Sequence, residues 1–227
     1  VILTATRVTS SKPKTTCPAL DHCGCYIHRN RAVTTCPRED THGLEAGDLT
    51  NDLARFYSTA MEEVTIHHFN FTVLPANVFA NLSMTSLSIS DGPLETVEDS
   101  CFEGVLKMDK LTIELTHLRT VPVALLRLGA RLKELRLAHN GIEEVGDVLH
   151  SLVNLEKLDL ESNAVASLDE KLFDQLKQLT ELRLGNNKLH RLPIQSLRVP
   201  PLAIVDVHNN VLMRETANAF RGFRQLR

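Results

Sequence analysis

LKELRLAHNGIEEV, residues 132–145, combines two spacings of apolar residues that no single regular element explains. Leu132 and Leu135 are three residues apart, as on a helix, whereas Leu135 and Leu137 are two apart, as on a strand. Alternate residues of a strand point to opposite faces. Leu135 and Leu137 therefore predict a short strand with one apolar face, and Asn140 marks the turn that follows it.

The same pattern recurs along the chain at steps of 23 or 24 residues. The repeats start at Met61, Met84, Met108, Leu132, Leu155, Leu179 and Leu202. An eighth start, at Leu226, comes one residue before the last. A fixed period of this length predicts a solenoid with one strand per repeat, in which each repeat buries its apolar face against its neighbours.

Four consecutive repeats carry asparagine in the turn after the predicted strand. These residues are Asn140, Asn163, Asn187 and Asn210. An inward-facing amide is costly unless it is hydrogen-bonded, so we expect each one to bond the backbone of a neighbouring repeat and form a ladder. Phe69, Gly92 and Thr116 hold this position in the first three repeats. The ladder is therefore expected to be interrupted in the N-terminal half.

A second apolar column lies five or six residues before each following start and predicts a hydrophobic spine behind the sheet. It consists of Phe79, Phe102, Leu126, Leu149, Phe173, Leu197 and Phe220. The helical spacing of FDQLKQL, residues 173–179, indicates one turn of helix leading into the next strand.

Residues 61–227 resemble the extracellular leucine-rich-repeat family, because the period, the leucines and the asparagine agree in four consecutive repeats. The resemblance implies an α/β solenoid, a curved right-handed horseshoe with a parallel sheet on the concave face and loops and short helical turns on the convex face. The predicted organisation is a Thr/Ser-rich lead-in at 1–16, a cap at 17–60 and seven complete repeats with an eighth begun at 61–227. We expect a fragment of a longer protein.

Four of the five cysteines precede the first repeat, at Cys17, Cys23, Cys25 and Cys36. The first coil of a solenoid needs a cap, and a short cap with little core of its own needs disulfides. Four cysteines allow three pairings, of which the family's N-terminal cap implies Cys17–Cys25 and Cys23–Cys36. A zinc site is the rival interpretation, but His22 and His28 lack zinc-finger spacing.

Several features indicate a secreted protein or the extracellular face of the plasma membrane. The sequons at Asn70 and Asn81 predict N-linked glycans, and no apolar run is long enough to cross a membrane. The net charge of −3 gives no general attraction to nucleic acid. Cys101 is left over, either as a half-buried free thiol or as a bridge to a partner chain or to residues outside this one.

No motif predicts catalysis, a metal ion or a cofactor. His67 and His68 are adjacent, and adjacent residues of a strand point to opposite faces, which favours two solvated side chains over a metal site. Neither a nucleophile with a paired base nor a glycine-rich phosphate loop has supporting context. We therefore expect that the chain is not an enzyme.

The concave face is the remaining candidate site. Its central column reads Thr65, Ser88, Thr112, Arg136, Asp159, Arg183 and Asp206. A rigid face of mixed charge suits a protein ligand, although a merely solvated surface is the competing interpretation. We expect binding by Arg136, Asp159, Arg183, Asp206 and His208, with the two arginines as anchors.

The resemblance to the extracellular repeats of Slit-, Toll- and chaoptin-type proteins implies a receptor-like role in adhesion, guidance or innate immunity. The alternative is a non-catalytic subunit that stabilises an extracellular enzyme or a larger assembly.

Overall fold

A disulfide-bonded cap begins the part of the chain that the computed structural model describes, residues 16–37, 43–56 and 59–213. Strands β1 (Gly24–His28) and β2 (Arg31–Cys36) form an antiparallel hairpin. Arg29 and Asn30 both have positive φ at its tip, the conformation that matches the twist of a two-residue hairpin. Helix α1 (Ala46–Ala54) follows and buries Leu49 and Leu53 in the common core.

Two disulfides fasten the cap. Cys17 is bonded to Cys25 and Cys23 to Cys36, which is the pairing that the family resemblance implied. Cys23 and Cys36 are buried in the hydrophobic core. The second disulfide therefore ties the loop before β1 to the end of β2, the strand on which the first repeat stacks.

Seven parallel strands, one per repeat, continue the sheet from β2. They are β3 (Ala60–His67), β5 (Ser83–Ser90), β7 (Lys110–Glu114), β8 (Glu134–Arg136), β9 (Lys157–Asp159), β10 (Glu181–Arg183) and β11 (Ile204–Asp206). Every strand pairs with those of the adjacent repeats, in the order in which they occur along the chain. The predicted leucine-rich-repeat solenoid with one parallel strand per repeat is confirmed.

Short elements connect the strands on the other side of the solenoid. β4 (Val73–Leu74) and β6 (Thr96–Val97) form a small parallel pair. Further along, the connections are 3₁₀ turns at Val123–Arg127, Gly129–Arg131 and Asp147–Ser151, and a short helix α2 (Ile194–Leu197). One continuous hydrophobic core fills the space between these elements and the sheet.

The asparagine ladder joins the C-terminal repeats. Asn163 is typical: its amide donates to the carbonyls of Leu137, Leu160 and Glu161 at 2.8–3.2 Å, and its oxygen accepts the N–H of Ile142. Asn140, Asn187 and Asn210 repeat this arrangement, each bonded to the repeat before it. The ladder begins at Thr116, whose N–H donates to the Asn140 oxygen.

Aromatic packing takes the place of the ladder in the first repeats. Phe69 is buried and stacks on Phe71 with ring centroids 4.3 Å apart. Phe79 and Phe102, both in the predicted spine, stack at 5.6 Å. At the ladder position of the first repeat, Phe69 therefore makes apolar contacts with Phe71 and with Gly92 of the next repeat, and these contacts need no hydrogen-bond partner.

The predicted spine is wrong at Leu126, whose side chain is 49% exposed. The 3₁₀ turn at Val123–Arg127 has three residues per turn, so residues three apart share a face. Leu125 and Leu128 point inward and are fully buried, which turns Leu126 outward. The predicted spine residue Phe220 lies outside the described residues.

Cys101 is a free cysteine that is completely buried rather than half-buried. Burial in apolar surroundings, together with the nearby charge of Glu98, raises the pKa of its thiol well above the ordinary value. The sulfur is neither exposed nor ionised at neutral pH. These properties argue against the predicted alternative of a bridge to a partner chain.

Candidate functional site

The charged face consists of Glu134, Arg136, Lys157, Asp159, Glu181 and Arg183 on strands β8, β9 and β10. The parallel register aligns Glu134 with Lys157 and Glu181, and Arg136 with Asp159 and Arg183. The sign of the charge therefore alternates from strand to strand in both columns. Opposite charges on neighbouring strands attract, so the sheet itself holds this pattern in place.

Ion pairs run across the strands of this region. Lys110 lies 2.9 Å from Glu134, and Lys157 lies 4.0 Å from Glu181. Glu181 also contacts Arg183 on its own strand at 2.6 Å. Exposed pairs of this kind contribute roughly 0–1 kcal/mol each to stability. Their main effect is to orient the side chains, which remain partly open to solvent.

Arg136 lies between two carboxylates. Its Nε atom is 2.9 Å from Glu114 and 3.5 Å from Asp159. The Nε atom and the Glu114 oxygen are both buried without a well-aligned hydrogen bond, so the contact is a close ion pair rather than a directed bond. The side chain is nevertheless 43% exposed. Arg136 thus keeps part of its guanidinium available to a ligand.

Arg183 is oriented by Glu181, to which its Nε donates at 2.8 Å. This hydrogen bond, with the charges of Glu181, Asp159 and Glu161, raises the pKa of Arg183 despite some loss of hydration. The guanidinium therefore stays charged. Its side chain is 44% exposed.

A shallow cavity of about 150 Å³ lies on the charged face, lined by its six charged residues with Leu135 and Leu158 at the floor. Of the predicted ligand-binding residues, Arg136, Asp159 and Arg183 meet there. Asp206 and His208 do not line this cavity. Lys157, Glu134 and Glu181 complete it, and the repeat register already placed them in one column next to the predicted residues.

Asp206 and His208 form a separate pair at the last described strand. His208 Nδ1 lies 2.6 Å from the Asp206 carboxylate, and its Nε2 lies 3.1 Å from the Asn186 amide. The ring lies over Gly185, where an added Cβ would come within 2.4 Å of it. A glycine at this position thus leaves room for the imidazole.

Each member of this pair shifts the pKa of the other. The hydrogen bond to Asp206 raises the pKa of His208, aided by the charges of Asp206 and Glu161 and opposed by loss of hydration. Burial raises the pKa of Asp206, but the hydrogen bonds from His208, with the charges of His208 and Arg183, lower it overall. The contact therefore favours the form in which the Asp206 carboxylate is negatively charged and the His208 imidazole is positively charged.

The prediction that the side chains of His67 and His68 point to opposite faces is wrong. β3 ends at His67, and His68 has a φ of 50°, so the chain turns before the second ring is placed. The two rings consequently approach each other edge to face, with their Nδ1 atoms 2.8 Å apart. The rule of opposite faces fails because it applies only while the strand continues.

Both predicted glycosylation residues are exposed. Asn70 follows β3, and Asn81 precedes β5 with a φ of 61°. The predicted lead-in lies outside the described residues except for Thr16.

Within the described ranges, no group of three or more His, Cys, Asp or Glu residues is arranged to hold a metal ion. The helices of the same ranges are also too short or too polar to span a bilayer.

Known proteins resemble the chain in its repeats. A family model described as leucine rich repeat matches residues 130–189. Decorin from Bos taurus is 30% identical over 164 residues, which cover 70% of this chain and 45% of decorin. The chain thus spans less than half of this relative.

Solved structures support the same fold. Human 5T4, also called trophoblast glycoprotein, superposes with a TM-score of 0.65 at 20% identity, covering 93% of this chain and 89% of 5T4. TLR13 in complex with ssRNA13 superposes with a TM-score of 0.59 at 18% identity, covering 82% and 33% of the two chains. The repeat period, the asparagine ladder and these matches agree that the chain is built of leucine-rich repeats, a type of repeat that serves in general as a protein-interaction module.

Proposed function

We propose that the charged face binds a protein ligand, with Arg136 and Arg183 as its main anchors and Asp206 and His208 extending the contact toward the last strand. The observation that carries this proposal is the alternation of charge in register across β8, β9 and β10. A rigid sheet loses little conformational entropy on binding, and fixed charges of both signs discriminate between partners.

A protein fits this face better than a nucleic acid does. The cavity is lined by three basic and three acidic side chains, so the face offers no net positive charge to a phosphate backbone. The whole chain carries a net charge of −3. Affinity for nucleic acid depends mainly on neutralising phosphates with Lys and Arg. The RNA named in the TLR13 structure is a ligand of that protein.

We place this activity outside the cell. The two cap disulfides persist in oxidising compartments, and the exposed Asn70 and Asn81 stand in sequons. The role is of the adhesion, guidance or innate-immune type and involves no catalysis by this chain. Deglycosidase treatment of the secreted protein should lower its mass, and Asn70→Gln with Asn81→Gln should abolish the decrease. An unchanged mass after treatment would remove the glycans from the proposal.

Affinity capture tests the charged face. The immobilised chain should be incubated with extracellular fluid of the source organism and the captured proteins quantified by mass spectrometry. Arg136→Glu with Arg183→Glu reverses the charge of both anchors, and each anchor of this kind is worth about 2 kcal/mol or more in typical interfaces. We expect capture of the specific ligand to fall at least about tenfold.

The matched control is Arg119→Glu with Arg191→Glu. Both arginines are exposed, lie on the segments between strands and give the same change in net charge. Capture by this control should equal that of the parent chain. If the charged-face variant and the parent capture the same proteins in equal amounts, the concave-face proposal is wrong.

That outcome would favour an assembly subunit that binds through its other surfaces. A specific observation keeps this second function in view: Leu106, Val123 and Leu126 are large apolar side chains on the connecting segments, and each is about half exposed or more. Exposed apolar side chains are suited to a permanent interface. Loss of stoichiometric co-purification on Leu126→Ser would support the assembly function.

A further inference from the structure

His67 and His68 bring two imidazole nitrogens together at the end of the first strand of the repeats. Their Nδ1 atoms lie 2.8 Å apart, and the rings meet edge to face with centroids 4.9 Å apart. His68 is exposed and His67 is partly exposed. The nitrogen pair can therefore be reached by a small ion from solvent.

The backbone causes this convergence. The positive φ of His68 folds the second ring toward the first. Phe69, the next residue, is buried, and a Cβ added to Gly92 would lie only 2.4 Å from its ring. The close fit of Phe69 against Gly92 anchors the turn. The two imidazoles thus sit on a fixed part of the fold rather than on a free loop.

We propose that His67 and His68 form a two-histidine site for a divalent transition-metal ion. A metal–nitrogen bond to imidazole is about 2.0–2.1 Å long, so two nitrogens at the observed 2.8 Å subtend about 85–90° at a shared ion. That angle suits neighbouring positions of a square-planar or octahedral shell. A tetrahedral zinc ion would need the nitrogens about 3.3 Å apart.

The geometry therefore favours Cu(II) or Ni(II) over Zn(II), and Cu(II) binds nitrogen ligands more tightly than Ni(II) does. Water completes the shell, because the described residues supply no third His, Cys, Asp or Glu for a cluster. Without metal, the same geometry places a hydrogen bond between the rings, in which one Nδ1–H donates and the other Nδ1 accepts. On binding, both Nδ1 atoms coordinate the ion, and the proton of the donating Nδ1 moves through solvent to Nε2 of the same ring.

Copper titration of the full chain, without a histidine tag and with Cu(II) alone as the probe, tests the site. Calorimetry should give one tight equivalent per chain, and electron paramagnetic resonance should show two imidazole nitrogens on the bound ion. His67→Ala and His68→Ala should each weaken binding at least about tenfold, because even losing a group that merely orients a metal ligand costs about 10–100-fold.

His139→Ala is the matched control. His139 holds the same turn position three repeats later, with a φ of 54°, but Ala138 precedes it and it offers a single imidazole. Its removal should leave the copper affinity and the two-nitrogen spectrum unchanged. The proposal is overturned if His67→Ala with His68→Ala keeps its circular dichroism spectrum and still binds Cu(II) as tightly as the parent. The two rings would then share only a hydrogen bond.

Discussion

The carboxylate of Asp52 accepts a hydrogen bond from the backbone N–H of Cys23 at 2.8 Å, and this bond joins helix α1 to the disulfide-bonded loop of the cap. The backbone N–H groups of Asp21 and His22 donate to the same carboxylate at 3.0 and 2.7 Å. Asp52 is completely buried. One side chain thus satisfies three buried or partly buried donors that the short loop cannot satisfy by itself.

Asp52→Asn should destabilise the cap by roughly 1–3 kcal/mol, because the amide cannot accept at both of its ends. Burial raises the pKa of Asp52, but the three backbone hydrogen bonds and the charge of His22 lower it overall. A lowered pKa means that the stabilisation is present above the unfolded value and is lost as the pH falls through the folded value.

Urea unfolding followed across the acidic range measures both effects. The parent should lose stability in acid more steeply than Asp52→Asn does. Asp91→Asn, at an exposed residue in the turn after β5, is the control and should change little. Parallel pH curves for the parent and Asp52→Asn would refute the assigned role.

Reduction should loosen the cap before the later repeats. Both disulfides lie within residues 17–36, whereas the C-terminal repeats are joined by the asparagine ladder. Hydrogen exchange with and without a reducing agent should show the early loss of protection in β1 and β2. A uniform loss from β1 to β11 would contradict this order.

Asn163→Ala should destabilise the fold by about 1–3 kcal/mol, because it leaves the Ile142 N–H and three carbonyls without the amide that bonds them. Asn154→Ala is the control, since its exposed side chain makes one hydrogen bond, to the Ala130 carbonyl. Thermal unfolding of both variants gives the comparison. An equal effect of the two substitutions would argue that the ladder contributes nothing specific.

Asp206→Asn should lower the pKa of His208, because the hydrogen bond to the Asp206 carboxylate is the main cause of its raised value. In the parent, the stabilisation from this pair is complete below the unfolded histidine pKa of about 6.5 and is lost as the pH rises through the folded value. NMR titration of the imidazole measures the shift. The same pKa in both proteins would show that the contact does not persist in solution.

The repeat region was predictable because one set of physical constraints recurs. Once Leu135, Leu137 and Asn140 are aligned with the other repeats, the alternation of side chains along a strand gives the strand and its inward face. The cost of an unpaired buried amide then predicts that the asparagine in the turn is hydrogen-bonded. The same alignment identified Arg136, Asp159 and Arg183 as neighbours on the charged face. The ion pairs between these residues depend on side-chain rotamers, which the repeat pattern does not determine.

Other features depend on local backbone geometry that the repeat period does not encode. Leu125 rather than Leu126 is buried because the connection forms a tighter 3₁₀ turn. The side chains of His67 and His68 meet because His68 has a positive φ. Helix α1 was missed although Leu49, Leu53 and Phe56 have helical spacing. The hydrogen bonds of Asp52 could not be predicted from the neighbouring sequence, because their donors lie about thirty residues away along the chain.

The packing of Phe69 against Gly92, where the later repeats have an asparagine rung, has a mechanical consequence. Hydrogen bonds are short and directional, so the rungs from Asn140 to Asn210 resist any sliding of one repeat past the next. The contact of the Phe69 ring with Gly92 tolerates small displacements, because dispersion contacts depend weakly on orientation. We expect the elastic compliance of the horseshoe to be concentrated in its first three repeats. A force that opens or closes the arc would bend it there, while the charged face keeps its spacing.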